Sequence, residues 1–248
     1  MTPPGEPSLD FLAAFAPANT LPDALPESPW AIFRAWFDEA HAKKVTPNPN
    51  AFTLACLDES DQLSARIVLC KKIIDEPASG QPGRGGAIVF YTNYESRKGR
   101  GLAKHPRAAA VFHWDTLEKQ VRIEGPVVRS PAAESDAYFQ TRGWENRLGA
   151  WASQQSRPVA SREELLMQVA GAMEKLNLSV LDIMDKGDAM VIPRPPHWGG
   201  WRLWASRVEL WLGGPGRVHD RAVWTRELRA ASEFDFDAGP WSSTRLQP

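Results

Sequence analysis

The 248-residue sequence has only two cysteines, no long apolar run and almost no net charge. Cys56 and Cys70 both lie in short apolar stretches, which is typical of buried free thiols rather than of a disulfide. No stretch has the length of a membrane span, and residues 1–19 lack the basic and apolar regions of a secretory signal. The net charge of −1 gives no general attraction to nucleic acid or to an anionic membrane. We therefore expect a cytoplasmic protein.

Several familiar catalytic signatures are also missing. The sequence contains no Gly-x-Gly-x-x-Gly, no P-loop and no Gly-x-Ser-x-Gly. Its five histidines show no His-Glu-x-x-His spacing, and two cysteines cannot form a cysteine-rich zinc site, so no metal site is predicted. Any binding of anions must therefore come from local clusters of Arg and Lys.

What is present predicts a proline-rich N-terminal arm over residues 1–27 and a single β-rich domain over residues 28–248. Helical spacing of apolar residues predicts helices at 29–43, at 131–141 and from Ser161, where Ser161 and Glu164 form a capping-box pattern. A loop rich in Gly and Pro is predicted at 76–86. Strands are predicted at 51–57, 64–72, 87–92, 108–114, 120–128, 200–211, 218–228 and 241–246. This order favours an antiparallel sheet or barrel over a doubly wound sheet.

Two clusters in the first half of the chain could bind anions. Arg66 and Lys71 bracket four apolar residues, and their odd separation sends them to opposite faces of a regular strand. The alternative is a buried strand with solvated charges at both ends, which the pattern alone favours. Residues 91–98 run from a strand end into a helix start, where free N–H groups with Arg97 and Lys98 suit a phosphate. A solvated basic turn is the alternative there.

A third cluster follows the glycine-rich turn at 213–216. If the chain is extended from Arg217 onward, Arg217, His219 and Arg221 share one face, and two cations flank an imidazole. That arrangement suits an anion or a redox cofactor. The alternative is the solvated face of an edge strand, which the pattern by itself slightly favours.

Taken in order, these motifs resemble the pyridoxamine 5′-phosphate oxidase family from about residue 28 to the C-terminus. The matching segments are Arg66-Ile-Val-Leu-Cys-Lys71, Phe90-Tyr-Thr-Asn93, Ser96-Arg-Lys98, Thr116-Leu-Glu-Lys-Gln120, Gly149-Ala-Trp151 with Gln155-Ser156, Trp198-Gly-Gly200, Val208-Glu-Leu-Trp211, Arg217-Val-His-Asp-Arg221 and Arg245-Leu-Gln-Pro248. The resemblance implies a β-rich α+β fold, an antiparallel split β-barrel with peripheral helices. It also implies a homodimer that binds FMN at its interface.

The resemblance also implies roles for individual residues. Arg66 and Lys98 would hold the FMN phosphate, with Arg97 nearby. The remaining FMN contacts would come from Ile67, Val68, Leu69, Lys71, Tyr91, Thr92 and Gln120, and from Gln155, Ser156, Trp211 and Arg221 of the other subunit. The substrate phosphate would be bound by Lys71, Tyr138, Arg142 and Asn146. Arg217 and His219 would cover the substrate ring as the catalytic candidates.

The reaction implied by the resemblance is oxidation of pyridoxamine or pyridoxine 5′-phosphate to pyridoxal 5′-phosphate, a step of vitamin B6 metabolism. Hydride would pass from substrate C4′ to flavin N5, and oxygen would reoxidise the flavin with release of hydrogen peroxide. The protein would supply orientation, phosphate binding and electrostatics.

Two departures from the family pattern leave alternatives open. The segment Gly143-Trp-Glu-Asn146 stands where family oxidases often have Pro-Arg-x-Ser, and the N-terminal arm lacks an Arg-x-x-Tyr element. One alternative is a related flavin oxidase with a diverged substrate, of the phenazine-biosynthesis type. The other is a non-catalytic FMN-binding protein on the same barrel.

Overall fold

The computed structural model describes residue 15, residues 19–76 and residues 85–248. Most of the predicted N-terminal arm, residues 1–14 and 16–18, lies outside the described residues, and so do residues 77–84 of the predicted loop. Within the described ranges, no helix is long and apolar enough to cross a membrane.

Ten of the strands in the described residues form one curled antiparallel sheet, and two form a separate hairpin. The strands are β1 (Ala51–Leu57), β2 (Leu63–Leu69), β3 (Lys72–Ile74), β4 (Ala87–Asn93), β5 (Arg107–Trp114), β6 (Lys119–Arg129), β7 (Trp198–Trp204), β8 (Arg207–Leu212), β9 (Asp220–Thr225), β10 (Leu228–Ala230), β11 (Phe236–Ala238) and β12 (Ser242–Leu246). Hydrogen-bonded neighbours follow the order β12, β9, β8, β6, β5, β1, β2. Strand β7 joins β6 to β4, β4 pairs with β3, and β10 pairs with β11.

Strand β6 connects the two sides of the sheet. Residues 119–124 pair with β8, whereas residues 127–129 pair with β7. At Gly125, between the two partners, a Cβ atom would lie 1.9 Å from the carbonyl oxygen of Trp204, so a side chain does not fit there. The change of partner makes the sheet curl, and the expected antiparallel barrel with peripheral helices is confirmed.

Six α-helices surround the sheet in the described part of the chain. They are α1 (Trp30–Ala42), α2 (Arg97–Lys104), α3 (Ala132–Gln140), α4 (Trp144–Ala152), α5 (Arg162–Lys175) and α6 (Val180–Lys186). The helices predicted at 29–43 and 131–141 are confirmed, and Ser161 caps α5 by accepting from the Glu164 N–H at 3.0 Å. Helices α4 and α6 are not among the helices predicted from the sequence.

The main core lies between α1 and the inner face of the sheet. In β1, which was predicted with its observed bounds, alternate residues are buried, and Phe52, Leu54 and Cys56 point inward. Phe33 of α1 packs on this layer, and its ring centre lies 5.3 Å from that of Phe112. Both cysteines are free and buried, as expected, and burial raises the pKa of Cys70 to about 12.

Two predicted strands are interrupted where the chain changes its pairing partner. The predicted strand 64–72 breaks after Leu69, because the Cys70 N–H donates to Asn50 whereas the Lys71 N–H donates to Val89 of β4. The expected placement of Arg66 and Lys71 on opposite faces of one strand is therefore wrong. The predicted strand 200–211 likewise separates into β7 and β8, since the chain turns at residues 205–206.

Candidate functional site

Two cations meet where β2 lies near the start of α2. Lys98 Nζ donates to Thr92 Oγ1 at 3.0 Å, to Ser96 Oγ at 3.2 Å and to Gln155 Oε1 at 2.6 Å. Burial, with a smaller contribution from the nearby Arg66 guanidinium, lowers the pKa of Lys98 to about 8. All these partners are uncharged, so they leave the positive charge of Lys98 uncompensated.

The Arg66 guanidinium also has uncharged partners. It donates to the Leu54 carbonyl at 3.3 Å, to Cys56 Sγ at 3.0 Å and to Ser64 Oγ at 2.5 Å. Two neighbouring cations with neutral partners, beside a helix N-terminus, fit a phosphate group. Arg66 and Lys98 therefore form a candidate anion-binding pair.

Arg97, which the resemblance places near the same phosphate, has a carboxylate partner. Its guanidinium donates to Asp58 Oδ2 at 2.6 and 2.8 Å. The bond from Arg97 is the main reason why the pKa of Asp58 is lowered. Asp58 thus compensates the charge of Arg97, and Arg66 and Lys98 remain the principal anion-binding pair.

An aromatic shelf, formed by Tyr91, Tyr138 and Trp198, lies at the end of β4. The ring centres of Tyr91 and Tyr138 are 4.0 Å apart, those of Tyr91 and Trp198 are 5.4 Å apart, and the rings are within 19° of parallel. The Arg142 guanidinium stacks on this shelf, with Cζ 4.6 Å from the centre of Trp198. Burial raises the pKa of Tyr91 to about 12, so its phenol stays neutral.

Arg142 is the second candidate anion-binding group. Its Nη1 atom is buried and has no hydrogen-bond partner among the described residues. Burial lowers the pKa of Arg142, and the neighbouring Arg147 lowers it further. Asn146, on the first turn of α4, and Lys71, after β2, are both exposed.

The remaining predicted residues form a row across the sheet. Gln120 of β6 lies opposite Trp211 of β8, which lies opposite Arg221 of β9, so the three project from one face. The His219 ring is 4.7 Å from the Trp211 ring, and its Nδ1 lies 3.2 Å from the Gly214 nitrogen, which donates to it. Arg221 donates to Glu209 at 2.7 Å and to the Gln247 carbonyl at 2.8 Å.

The prediction that Arg217, His219 and Arg221 alternate along one strand is wrong. Strand β9 begins only at Asp220, and Arg217 ends a short 3-10 turn, Pro215–Arg217. Gly216 and Arg217 have φ angles of 60° and 62°, in the left-handed region, so the chain turns there and the side-chain alternation is lost. Arg217 is exposed beside the turn.

Gln155 and Ser156 follow α4, and Gln155 already contacts Lys98 and Thr92 of its own chain. Gln155 therefore makes these contacts within one chain, whereas the resemblance implies that it contacts FMN from the other subunit. Ser156 is exposed and adopts a φ of 73°. Ile67 is also exposed, Val68 and Leu69 are half-buried, and all three lie on the edge strand β2.

One buried residue near the site has no sequence signal. Arg147 of α4 is 2% exposed and donates to the carbonyls of Asp188 and Met190, each at 2.8 Å. Its guanidinium thereby fastens α4 to the segment that follows α6. Because α4 is not predicted and these partners lie about 40 residues away, sequence periodicity could not identify this contact.

The fold and this site define a split-barrel protein with two separate cationic groups beside a stack of aromatic rings. Residues 38–174 match the family model described as pyridoxamine 5′-phosphate oxidase. Residues 198–248 match the model described as the pyridoxine 5′-phosphate oxidase C-terminal dimerisation region. The chain belongs to the pyridoxamine 5′-phosphate oxidase family, and its relatives support an oxidoreductase.

Three similar proteins illustrate this membership. A pyridoxine/pyridoxamine 5′-phosphate oxidase of Burkholderia lata is 47% identical over 221 residues, which are 89% of each chain. The crystal structure of PhzG from Burkholderia lata, in complex with tetrahydrophenazine-1-carboxylic acid, is 25% identical, with a TM-score of 0.71, and the match covers 93% of this chain and 100% of that one. A pyridoxamine 5′-phosphate oxidase-related, FMN-binding protein of Nostoc punctiforme shares the fold, with 15% identity, a TM-score of 0.58 and coverage of 90% and 100%.

Proposed function

We propose that the protein is an FMN-dependent oxidase that converts pyridoxamine or pyridoxine 5′-phosphate to pyridoxal 5′-phosphate, with oxygen as the acceptor. One observation carries this proposal. Thr92 and Tyr91 are neighbours on β4, and Thr92 contacts Lys98 while Tyr91 belongs to the aromatic shelf over which Arg142 lies. Neighbouring residues of a strand project to opposite faces. Two distinct cationic groups therefore lie near the end of β4, so two phosphate groups can bind there without competing for the same residues.

Each group has a separate role in the proposal. Arg66 and Lys98 bind the FMN phosphate, while Tyr91, Thr92 and Gln120 line the flavin. Arg142, together with Lys71, Tyr138 and Asn146, binds the substrate phosphate and so fixes the distance of the reacting carbon from the flavin. When bound, FMN supplies the acceptor for two electrons, and the protein supplies binding and orientation.

We further propose that each site is completed by a second copy of the chain. The segment matching the dimerisation-region model, residues 198–248, includes β8 and β9, which carry Trp211 and Arg221. In the proposed homodimer these residues, with Arg217 and His219, reach the flavin and the substrate ring of the partner. The exposed position of Arg217 beside its turn is consistent with a role outside its own chain.

A second candidate is an oxidase of the same family that acts on a carboxylated, phenazine-like substrate. The similarity to PhzG, whose structure holds tetrahydrophenazine-1-carboxylic acid, favours this candidate. Trp144 and Glu145, which stand beside Arg142 in the sequence, also differ from the usual family segment. A carboxylate could pair with Arg142 as a phosphate does, because a guanidinium binds both groups through two parallel hydrogen bonds.

Steady-state turnover with peroxide detection distinguishes these candidates. The FMN-loaded protein is assayed with pyridoxamine 5′-phosphate, pyridoxine 5′-phosphate and a reduced phenazine carboxylic acid. Peroxide release with either phosphorylated pyridine supports the proposal. Oxidation of the phenazine compound alone would assign the second candidate, and no turnover with any of them would indicate an FMN-binding protein without this activity.

A further inference from the structure

The ring contacts of Arg142 determine which of its N–H groups can bind a ligand. Its guanidinium lies over the Trp198 ring at 4.6 Å and over the Phe139 ring at 5.5 Å, measured from Cζ to the ring centres. A guanidinium held over an aromatic ring by a cation–π contact does not use its N–H groups as hydrogen-bond donors there, so they remain available for an anion. A carboxylate partner would occupy those N–H groups. The buried Nη1 atom, which has no partner among the described residues, is one of them.

Trp198 is itself held in a fixed orientation. It is 7% exposed, and its backbone N–H donates to the Pro195 carbonyl at 3.1 Å while its backbone carbonyl accepts from Arg194 Nη1 at 2.6 Å. The Phe139 ring packs edge-on against it at 5.1 Å. The backbone bonds hold the main chain at Trp198, and the rings of Phe139 and Tyr91 pack against the indole, so the indole is held by contacts that do not involve Arg142.

The same indole also lies parallel to the second predicted phosphate ligand. The ring planes of Trp198 and Tyr138 differ by 8°, and their centres are 6.2 Å apart, with Tyr91 stacked against both. Trp198 therefore contacts Arg142 directly and lies in one stack with Tyr138. The sequence motif Trp198-Gly-Gly200 gives this residue no role in binding.

We propose that Trp198 is a positioning residue, which holds the Arg142 guanidinium with its N–H edge directed at the substrate phosphate. This inference rests on the proposed function, because it requires Arg142 to bind the substrate anion. Trp198 makes no bond to the substrate. Its removal should therefore weaken binding of phosphorylated ligands specifically, and only when Arg142 is present.

The test measures ligand affinity of the FMN-loaded protein by calorimetry, with pyridoxal 5′-phosphate and unphosphorylated pyridoxal as probes. Trp198→Leu should raise the Kd for pyridoxal 5′-phosphate about ten- to thirtyfold, since a desolvated cation–π contact is lost. The Kd for pyridoxal should change little. Trp198→Phe retains a weaker ring face and should raise the Kd for pyridoxal 5′-phosphate only about threefold.

Trp204→Leu provides a matched control. Trp204 is 1% exposed on the same strand, β7, and packs on Phe236 at 5.9 Å rather than on Arg142. Its truncation should lower the melting temperature as Trp198→Leu does but leave both Kd values unchanged. An equal rise for pyridoxal and its phosphate in Trp198→Leu, or the same rise in Trp204→Leu, would overturn the inference, because Trp198 would then be an ordinary core residue. If Trp198→Leu does not fold, Trp198→Phe decides by the same comparison of the two probes.

A double-mutant cycle separates this inference from the proposed function. If Trp198 acts through Arg142, the variant Arg142→Met/Trp198→Leu should bind pyridoxal 5′-phosphate no more weakly than Arg142→Met alone. Additive losses would refute the positioning role. An unchanged Kd in Arg142→Met itself would instead refute the assignment of Arg142 in the proposed function.

Discussion

At the scale of single residues, the protonation of Lys98 should control the affinity for FMN. The pKa of Lys98, lowered by burial to about 8, means that the ammonium loses its proton above this pH in the FMN-free protein. The FMN phosphate is already a dianion near pH 7, so it contributes no further change. The Kd for FMN should therefore rise above pH 8, by up to about tenfold per pH unit, and stay nearly constant just below it.

Lys98→Met tests the origin of this pH dependence. The variant should bind FMN about ten- to a hundredfold more weakly at pH 7, and the Kd should no longer depend on pH between 7 and 9. Arg97→Met is the control, because Asp58 compensates the charge of Arg97, and this variant should retain the wild-type pH profile. Fluorescence titration of FMN measures both. A profile that persists in Lys98→Met would assign the titration to another group.

Arg142 should determine affinity for the substrate without affecting FMN. Arg142→Ala removes a charge-assisted phosphate contact, so the KM for pyridoxamine 5′-phosphate should rise about ten- to a hundredfold. The FMN content, measured from the absorbance of the purified protein, should equal that of the wild type. Loss of FMN from Arg142→Ala would show that this residue belongs to the cofactor phosphate.

Arg217 and His219 should affect the chemical step. If both cover the substrate ring, Arg217→Leu should lower the rate of anaerobic flavin reduction by about a hundredfold, because a misplaced reacting centre reacts slowly. His219→Ala should have a smaller effect, since water can replace part of an imidazole contact. FMN content and melting temperature should change little in Arg217→Leu. Reduction rates near those of the wild type would remove Arg217 from the site.

At the scale of elements, the C-terminal strand holds the described part of the N-terminal arm. The Leu21 N–H donates to Asp220 Oδ2 at 2.7 Å, and Arg245 of β12 forms an ion pair with Asp220 and donates to the Pro22 carbonyl at 2.9 Å. The Trp224 indole donates to the Pro26 carbonyl at 2.9 Å. Residues 21–26 are thus held against strands β9 and β12.

Arg245→Met should therefore loosen the arm locally. We expect faster amide hydrogen exchange in residues 19–27 and a decrease in melting temperature of only a few degrees, since a partly exposed ion pair contributes about 1 kcal/mol. Arg229→Met is the matched control, because Arg229 is 84% exposed and its pairing with Glu227 spans 3.7 Å. Equal exchange of residues 19–27 in the two variants would show that Arg245 does not hold the arm.

The limits of sequence prediction also appear at this scale. Strand β1 was predictable because it is a short apolar run bounded by turn-like segments, and α1 was predictable because Trp30, Phe33 and Ala40 repeat at helical spacing. The break after Leu69 was not, because it depends on which distant strand accepts each N–H group. The carboxylate partner of Arg97 is Asp58, 39 residues away, and no local pattern indicates such a contact.

In the site, too, some residues were predictable from the sequence and others were not. The motifs indicated Arg66, Lys98 and Arg142, because short segments in a fixed order resemble a family. The motifs could not indicate that Trp198 supports Arg142, since that contact brings β7 together with the segment after α3. They also could not reveal the left-handed turn at Gly216 and Arg217, which separates Arg217 from the strand that begins at Asp220.

At the scale of the whole molecule, the proposed homodimer predicts complementation between two variants that are each strongly impaired at a substrate concentration near the wild-type KM. In the proposal, each site uses Arg142 of one subunit and Arg217 of the other. Arg142→Ala removes the first side chain, and Arg217→Leu removes the second. In a mixed dimer one site carries both defects and the other carries none. Coexpression with random assortment should therefore restore about a quarter of the wild-type activity, because about half of the dimers are mixed and each has one intact site. No recovery would show that both residues serve the same subunit's site.

The central claim is that the two cationic groups near the end of β4 bind two phosphorylated molecules, FMN and a phosphorylated pyridine. The phosphorylated pyridine then reduces the flavin. Anaerobic mixing of the FMN-loaded protein with pyridoxamine 5′-phosphate or with pyridoxamine tests this claim most directly. The phosphorylated compound should bleach the flavin absorbance, and pyridoxamine should need a concentration about a hundredfold higher or more, because it lacks the contact with Arg142. Equal bleaching by both compounds, or none by the phosphorylated one, would contradict the account.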